Sequence, residues 1–401
     1  MVQTEADTTP LFRSQVGPIL LLTGIFFLNF ASRIVLSPLM PTVETDLNIT
    51  HGQAGTFFVC TSAGYFLSLM AAGVVSSRLM HYRTITLSAV AVGVALLGVS
   101  LSDGLWQMRF GLFVLGLAAG LYLPSGIATL TSLIRSRDWG KGVAIHEVAP
   151  NMAFVSVPLI SEALLPWLSW QHVLGLMGIA SLLMAAAFAF WGQGGRFHGQ
   201  APNWHAFRPL IANPAFWIMA LLFGLAIGGS MGVFSMLPLY LVAERGIPRD
   251  SANLLISLSR ISSVAVAFVS GWATDRFGPR QVMATVFFLT GILTMLLGIG
   301  PDPWIILLVF LQPLLAVCFF PAGFAALSSI LPADARNVAV SLTIPLAYLL
   351  GGGVFPVGIG MFGDAGVFSW GIAAAGALIM TGVVFSLCLK TSKPEENEAP
   401  S

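Results

Sequence analysis

Residues 17–43 read GPILLLTGIFFLNFASRIVLSPLMPTV, a stretch that carries a single charge, Arg33. The hydrocarbon core of a bilayer is about 30 Å thick, and a helix rising 1.5 Å per residue needs roughly 20 mostly apolar residues to cross it. This stretch meets that requirement, and eleven more runs like it follow, at about 52–78, 84–101, 105–134, 140–164, 168–191, 214–243, 250–273, 282–299, 303–331, 336–361 and 366–389. The runs are too long and continuous for the alternating strands of roughly ten residues that build a membrane barrel. The expected fold is therefore an all-α integral membrane protein with twelve transmembrane helices. Since eleven spans follow the first, it is read as a mature helix rather than a cleaved leader.

Composition excludes several other classes. Of 401 residues 56% are hydrophobic and 9% charged, against about 25% charged in a soluble domain, so a water-soluble globule is ruled out. Eighteen basic residues against seventeen acidic leave a net charge of +1, without the clustered basic excess that a nucleic-acid surface needs. Cys60, Cys318 and Cys388 sit in apolar runs without metal or disulfide spacing. No metal and no cofactor is expected. His146-Glu147 begins like the zinc motif H-E-x-x-H, but Pro150 stands where the second histidine would be, so zinc lacks a ligand pair on one helix face. There is no Gly-rich phosphate loop and no serine nucleophile elbow, so an enzyme is not expected.

Loop charges set the expected orientation. With the N-terminus inside, the cytoplasmic segments hold Arg13, Arg78, Arg83, Arg135, Arg137, Lys141, Arg196, Arg208, Arg276, Arg280, Arg336, Lys390 and Lys393. The other side holds Arg109, Arg245 and Arg249. Thirteen against three places both termini in the cytoplasm, in a bacterial-type inner (plasma) membrane. Trp106, Trp139, Trp191, Trp217, Trp272, Trp304 and Trp370 fall near helix ends, where interfacial indoles belong. The longest polar interruption, GQGGRFHGQAPNWHAFRPLIA at 192–212, splits the chain six plus six. The expected organisation is a tail (1–16), a six-helix bundle (17–191), a cytoplasmic linker (192–213), a second bundle (214–389) and a tail (390–401).

An internal repeat supports that split. Gly73-Val-Val-Ser-Ser-Arg78 after the second helix is echoed, 198 residues later, by Gly271-Trp-Ala-Thr-Asp-Arg276 after the eighth. The second copy, continued as Asp275-Arg276-Phe-Gly278-Pro-Arg280, closely resembles the loop signature of the major facilitator superfamily. The first copy has Ser77 in place of the aspartate and Met80 in place of the second glycine. Arg109 with Gly116 and Gly120 resembles that superfamily's helix-4 motif. The resemblance implies two pseudo-symmetric six-helix bundles, alternating access around a midplane cavity, and a role for Asp275, Arg276 and Arg280 at the cytoplasmic gate. There the Asp275 carboxylate would favour a neighbouring helix N-terminus, that of the eleventh helix beside Arg336.

Helix 1 carries Asn29-Phe-Ala-Ser-Arg33-Ile-Val-Leu-Ser37, which resembles the anion–cation symporters and organophosphate antiporters, families that bind anions. The G-x(8)-G-x(3)-G-P-x-x-G-G run of drug exporters is absent from helix 5. In its place stands Gly140-Lys-Gly-Val-Ala-Ile-His146-Glu147-Val-Ala-Pro150-Asn151.

Ionisable groups inside a membrane are expensive and mark functional sites. Three charges fall well within spans, Arg33, Glu147 and Arg260, with His146 beside the acid. Arg33 shares a polar stripe with Asn29 and Ser37, and Arg260 shares one with Asn253, Ser257 and Ser263. A guanidinium stays charged when buried and grips a carboxylate or phosphate with two parallel bonds. Arg33 and Arg260 are therefore expected to bind a small anionic substrate, and Glu147 with His146 to carry a coupling proton. Asn29, Tyr65, Tyr122, Asn151, Gln312 and Tyr348 are further candidates for contacting substrate. Structural alternatives stand beside each: an arginine tied to backbone carbonyls, or a Glu147–arginine ion pair. The expected function is proton-coupled import of a small carboxylate by a monomer. An organophosphate or anion exchanger, a drug exporter and a non-transporting sensor are the alternatives.

Overall fold

The computed structural model describes residues 12–201, 208, 210–330 and 336–389, and among these there are helices and no strand. Twelve long helical segments run along the chain: α1 Phe12–Leu47, α2 His51–Leu79, α3 His81–Ser100, α4 Leu105–Leu133, α5 Ser136–Leu164, α6 Trp170–Trp191, α7 Pro214–Ala243, α8 249–277, α9 Pro279–Ile299, α10 Asp302–Ser329, α11 Ala339–Asp364 and α12 Phe368–Cys388. Eleven are long and apolar enough to span a bilayer. The twelfth, α8, is divided into Arg249–Ile261 and Ser263–Phe277, and its first half carries Arg249, Asp250 and Arg260. The tails 1–11 and 390–401, with Lys390 and Lys393, lie outside the described residues, as do 202–207 and 209 of the linker and 331–335.

Several helices are interrupted at mid-length. α1 breaks at Val35, α4 at Leu121, α5 at Glu147, α8 at Ser262 and α10 at residues 317–318, while α7 and α11 contain π-helical turns at Gly228–Gly232 and Leu349–Val354. Prolines explain most of these. A proline ring clashes with the carbonyl four residues back and offers it no N–H. Pro38, Pro124, Pro150, Pro321 and Pro356 aim this defect at Ile34, Gly120, His146, Val317 and Gly352. The break in α8 has no proline and falls in the run Ser262-Ser263.

Helix ends differ from the sequence expectation where polar residues extend a helix past its apolar run. α1 runs to Leu47 through Glu44 and Asp46, and α8 runs to Phe277. Asp275 and Arg276 therefore lie on the last turn of α8 and Arg280 on the first of α9, with only Gly278 forming the turn between them. The indoles of Trp106, Trp139, Trp191, Trp217, Trp272, Trp304 and Trp370 are all exposed.

The 198-residue repeat extends into backbone geometry. Among the described residues two non-glycines have positive φ, Asn48 (49°) and Met80 (68°). Their counterparts 198 positions on are Gly246 (62°) and Gly278 (83°). Helix crossings repeat as well. A Cβ on Gly93 would meet the Gly178 carbonyl at 2.8 Å, and one on Gly291 would meet the Gly376 carbonyl at 2.9 Å. Adding 198 to 93 and 178 gives 291 and 376. Small residues thus bring α3 against α6 and α9 against α12 by the same rule, as close packing between membrane helices requires.

By proximity the chain forms two compact units, Met1–Leu39 with Ala63–Pro202, and Met40–Ser62 with Asn203–Ser401. The core of the first includes Ile19, Leu22, Phe26, Ile85, Tyr122, Leu130 and Phe188. The first part of the linker lies along its α2–α3 turn, where His81 N donates to Phe197 O (3.1 Å) and Tyr82 N to Gly195 O (2.8 Å). In the second unit the C-terminal part of α1 and the N-terminal part of α2 meet the end of α11. There the Asp364 carboxylate accepts from Thr50 Oγ1 (2.8 Å) and Gly52 N (3.0 Å), capping the start of α2. His51 pairs with Glu44 beside it (2.7 Å).

Candidate functional site

Arg33 lies two residues before the α1 break and is 7% exposed. Its guanidinium carbon sits 4.3 Å from the Tyr65 ring centroid and 4.8 Å from that of Phe30. Phe30 stands three residues before Arg33, on the same side of α1. Tyr65 arrives from α2, which α4 approaches closely because Gly120 has no side chain: a Cβ there would meet Tyr65 O at 2.8 Å. Two aromatic faces near a cation are worth about 0.5–2 kcal/mol each, more when desolvated. Asn29 is turned elsewhere and donates from Nδ2 to Ala119 O (3.0 Å), joining α1 to α4 just before the α4 break.

Arg260 sits two residues before the α8 break and is 8% exposed. Its Nη2 donates to Ser230 O (2.7 Å) and its guanidinium carbon lies 4.9 Å from the Phe234 ring centroid. The Ser230 carbonyl belongs to the π-turn of α7. A π-turn changes the hydrogen-bond ladder and turns carbonyls toward other partners. Gln312 of α10 takes the neighbouring one, donating from Nε2 to Gly229 O (2.8 Å) and to Thr294 Oγ1 (3.1 Å). Arg260 and Gln312 thus both serve the same irregular turn, which the small-residue run Gly228-Gly-Ser-Met-Gly232 permits. The second π-turn, in α11, includes the run Gly351-Gly352-Gly353, and a Cβ on Gly228 would clash with Phe355 at 2.6 Å. Tyr348 precedes that turn and is part-buried.

His146 and Glu147 form the third feature. His146 is fully buried, whereas the Glu147 side chain is 48% exposed at the α5 break. The imidazole stacks on Phe26 at 4.4 Å and 10°. Its Nε2 lies 3.0 Å from the Tyr122 hydroxyl, and its Nδ1 lies 3.3 Å from Glu147 Oε1. Tyr122, itself 0% exposed, donates to Leu22 O at 2.8 Å. Asn151 bonds the Glu147 carbonyl through Nδ2 (2.9 Å), one residue past the His146 carbonyl at which Pro150 aims its defect.

Arg33 lies with Phe30 and Tyr65, and Arg260 with Ser230 and Phe234. Asn29, Tyr122, Asn151 and Gln312 are each engaged with backbone carbonyls. The gating candidates are exposed: Arg276 lies 5.9 Å from the ring centroids of Trp272 and Phe277. Arg280 donates to the Leu387 carbonyl, and Asp275 makes no ion pair with another described residue. Sequence reasoning missed Phe30, Phe26 and Phe234. It also missed the carbonyls of Leu22 and Ser230, which carry no sequence signal at all. Spacing could have found Phe30, at i−3 from Arg33.

Relatives agree with this architecture. A 199-residue segment is 26% identical to the inner membrane metabolite transport protein YdjE of Escherichia coli, covering 48% of this chain and 40% of that protein. Over 366 residues the chain is 24% identical to the multidrug resistance protein MdtL of Escherichia fergusonii, covering 88% of this chain and 90% of MdtL. Among solved structures, a bacterial homolog of the human lysosomal transporter Spinster, inward-facing and unoccupied, matches with a TM-score of 0.77 at 14% identity over 94% of this chain and 96% of its own. The nucleoside transporter NupG matches with a TM-score of 0.74 at 15% identity over 94% and 100%. The family model of the Major Facilitator Superfamily matches residues 22–248 and 224–401. With two buried arginines, interrupted helices and a fold repeated at 198 residues, this multi-pass membrane chain is a transporter belonging to the Major Facilitator Superfamily.

Proposed function

We propose that this secondary transporter imports a small organic anion, a carboxylate, across the bacterial inner membrane by alternating access coupled to protons. Both termini lie in the cytoplasm in this reading, and the protein works as a monomer. The observation that carries it is the pair of buried guanidinium groups, each set beside an aromatic ring next to a break in its helix. Burying a charge costs several kcal/mol, and an anionic substrate would add a charge-assisted partner at both residues. A carboxylate is held by the N–H groups in the guanidinium plane, while the rings of Phe30, Tyr65 and Phe234 lie 4.8, 4.3 and 4.9 Å from the guanidinium carbons. Helix breaks also favour small charged ligands, because half-helix ends present partial charges at mid-membrane. Tyr65, whose ring lies against Arg33, and Tyr348, just before the π-turn of α11, supply further hydroxyls.

Glu147 with His146 carries the coupling proton in this reading: a buried base joined to a half-exposed acid can take a proton from water and hold it away from water. Two fixed cations and one proton site leave room for one negative substrate without large excess charge. Asp275, Arg276 and Arg280, on the turn between α8 and α9, act at the cytoplasmic gate.

Drug export is the second reading, favoured by the match to MdtL along nearly the whole chain. Buried arginines oppose it, since lipophilic cations would be repelled by them. Uptake of a radiolabelled carboxylate into proteoliposomes separates the two. Hydrogen bonds to charged groups contribute about 1.5–3 kcal/mol, so Arg33→Ala should weaken half-saturation tenfold or more at 1.4 kcal/mol per decade. Arg33→Lys, a point charge without the fork, should fall between. Uptake unchanged in Arg33→Ala overturns the anion reading. Uphill uptake under an imposed pH gradient should vanish in Glu147→Gln, and its persistence removes the proton role of that acid.

A further inference from the structure

Tyr122 stands in the structure as part of the His146 environment, and the hydrogen-bond inventory around it has one solution. A phenol carries one proton and accepts through its lone pairs. That proton is directed to the Leu22 carbonyl at 2.8 Å, a group that can only accept. The contact of 3.0 Å between the phenol oxygen and His146 Nε2 must then have the nitrogen as donor. The two rings lie nearly parallel, 7° apart with centroids at 6.0 Å, as an in-plane bond between them requires. Phe26 stacks at 4.4 Å on the imidazole and keeps the ring from turning. With Nε2 protonated, a neutral imidazole leaves Nδ1 bare.

We infer that Tyr122 is a positioning residue that fixes His146 in its Nε2–H form, and so confines the exchangeable proton to the Nδ1 edge shared with Glu147. The inference rests on the proton-coupling reading for its purpose, though its geometry stands independently. Nδ1 and Glu147 Oε1 are 3.3 Å apart. A bare nitrogen and an ionised carboxylate at that separation would oppose two lone pairs, so this arrangement holds one proton, on the acid or on the ring. The proton moves between the oxygen and Nδ1 without any bond to Nε2 changing. When it leaves to water, the opposed lone pairs push the carboxylate away. Glu147 can follow, because it is half-exposed and sits at the joint between Trp139–His146 and Val148–Leu164. The titratable groups facing the ring among the described residues are Tyr122 from α4 and Glu147 from its own helix. α1 presents Phe26 and the Leu22 carbonyl.

This assignment changes the meaning of Tyr122 relative to a substrate-contacting hydroxyl. Its oxygen donates to one group and accepts from another, both protein, at full burial. A hydroxyl so engaged serves a substrate only by breaking one of those bonds. It serves the histidine by keeping both.

The test reads the tautomer directly. Full-length protein with ¹⁵N-labelled histidine, reconstituted in bilayers, is examined by solid-state NMR. Six histidines contribute signals, and those of His146 are identified by their loss in His146→Gln. The expected result in the unmodified protein is the Nε2–H neutral form, the imidazolium, or both in proportions set by pH, with no neutral Nδ1–H form at any pH. In Tyr122→Phe the acceptor for Nε2–H is gone, and the Nδ1–H form should rise from absent to a share comparable with the other. In Glu147→Gln, which leaves the phenol in place, the Nε2–H form should persist. A neutral Nδ1–H signal in the unmodified protein, or a Tyr122→Phe spectrum identical to it, overturns the inference. Should Tyr122→Phe not fold, the unmodified and Glu147→Gln spectra still decide, since either can show the excluded form. Uphill uptake that still follows an imposed pH gradient in Glu147→Gln would remove the coupling reading while the tautomer result stood, so the two failures are distinct.

Discussion

Gly278, at the turn between α8 and α9, has φ 83° and ψ 151°, a combination open essentially to glycine alone. A Cβ built there meets nothing within 4 Å, so Gly278→Ala introduces no clash and its cost is purely that of the backbone. Holding a residue with a side chain in that region costs about 1–3 kcal/mol, and alanine returns roughly 0.4–1 kcal/mol by stiffening the unfolded chain. The net expectation is a loss of about 1–2 kcal/mol. Gly271, about two turns earlier, provides the control: its Cβ space is equally open and its backbone is helical. There alanine should gain about 0.5–1 kcal/mol. The first-half counterpart of Gly278 is Met80, at φ 68° and ψ 156°, which already bears the strain. Met80→Gly should therefore stabilise by about 1 kcal/mol. Unfolding of the purified variants by titration with a denaturing detergent, followed by tryptophan fluorescence, measures all three. Opposite signs for Gly278→Ala and Gly271→Ala are required, and a stabilised Gly278→Ala or a destabilised Met80→Gly would refute the strain argument.

Other perturbations follow from the same packing. Gly376→Val places methyl groups against Gly291 O and Met295 N and should cost about 1–3 kcal/mol by overpacking, while Gly98→Ala, with open space, should be neutral or better in the same titration. Asp364→Ala removes the acceptor for Thr50 Oγ1 and Gly52 N and should cost about 0.5–2 kcal/mol as a lost helix cap. Asp364→Asn, which keeps an oxygen acceptor, should recover part of that loss, and an Asn variant as weak as Ala would assign the effect to charge instead.

Much of the fold was legible because membrane solvent constrains composition so tightly. Spans of about 20 apolar residues, the 192–212 interruption and the repeated Gly-x-x-x-x-Arg loops needed only spacing. Arg33, Glu147 and Arg260 stood out because a charge amid 56% hydrophobic residues is costly. What stayed hidden was rotation about each helix axis. Nothing in the sequence turns Asn29 to Ala119 O or Tyr122 to His146, since those directions are set by packing with distant spans. Backbone acceptors were hidden for a different reason: the Ser230 and Gly229 carbonyls become available through a π-turn that depends on the neighbouring helix. The strained Met80 was half legible. Its place in the loop repeat marked a missing glycine, but that its backbone would nonetheless adopt the glycine conformation came only from the structure.

The assignment of an anionic substrate meets its most direct test in a ligand-stabilisation panel on purified protein. Small carboxylates, their neutral amides, sulfonates, phosphate esters and lipophilic cations are added in turn to the unmodified chain, to Arg33→Gln and to Arg260→Gln, and the melting temperature is followed. Binding to the folded state raises apparent stability by mass action. A carboxylate should raise it in the unmodified protein while its amide does not, and the shift should disappear in both arginine variants. A shift produced by lipophilic cations, or a carboxylate shift that survives in both variants, would contradict the two-arginine anion site.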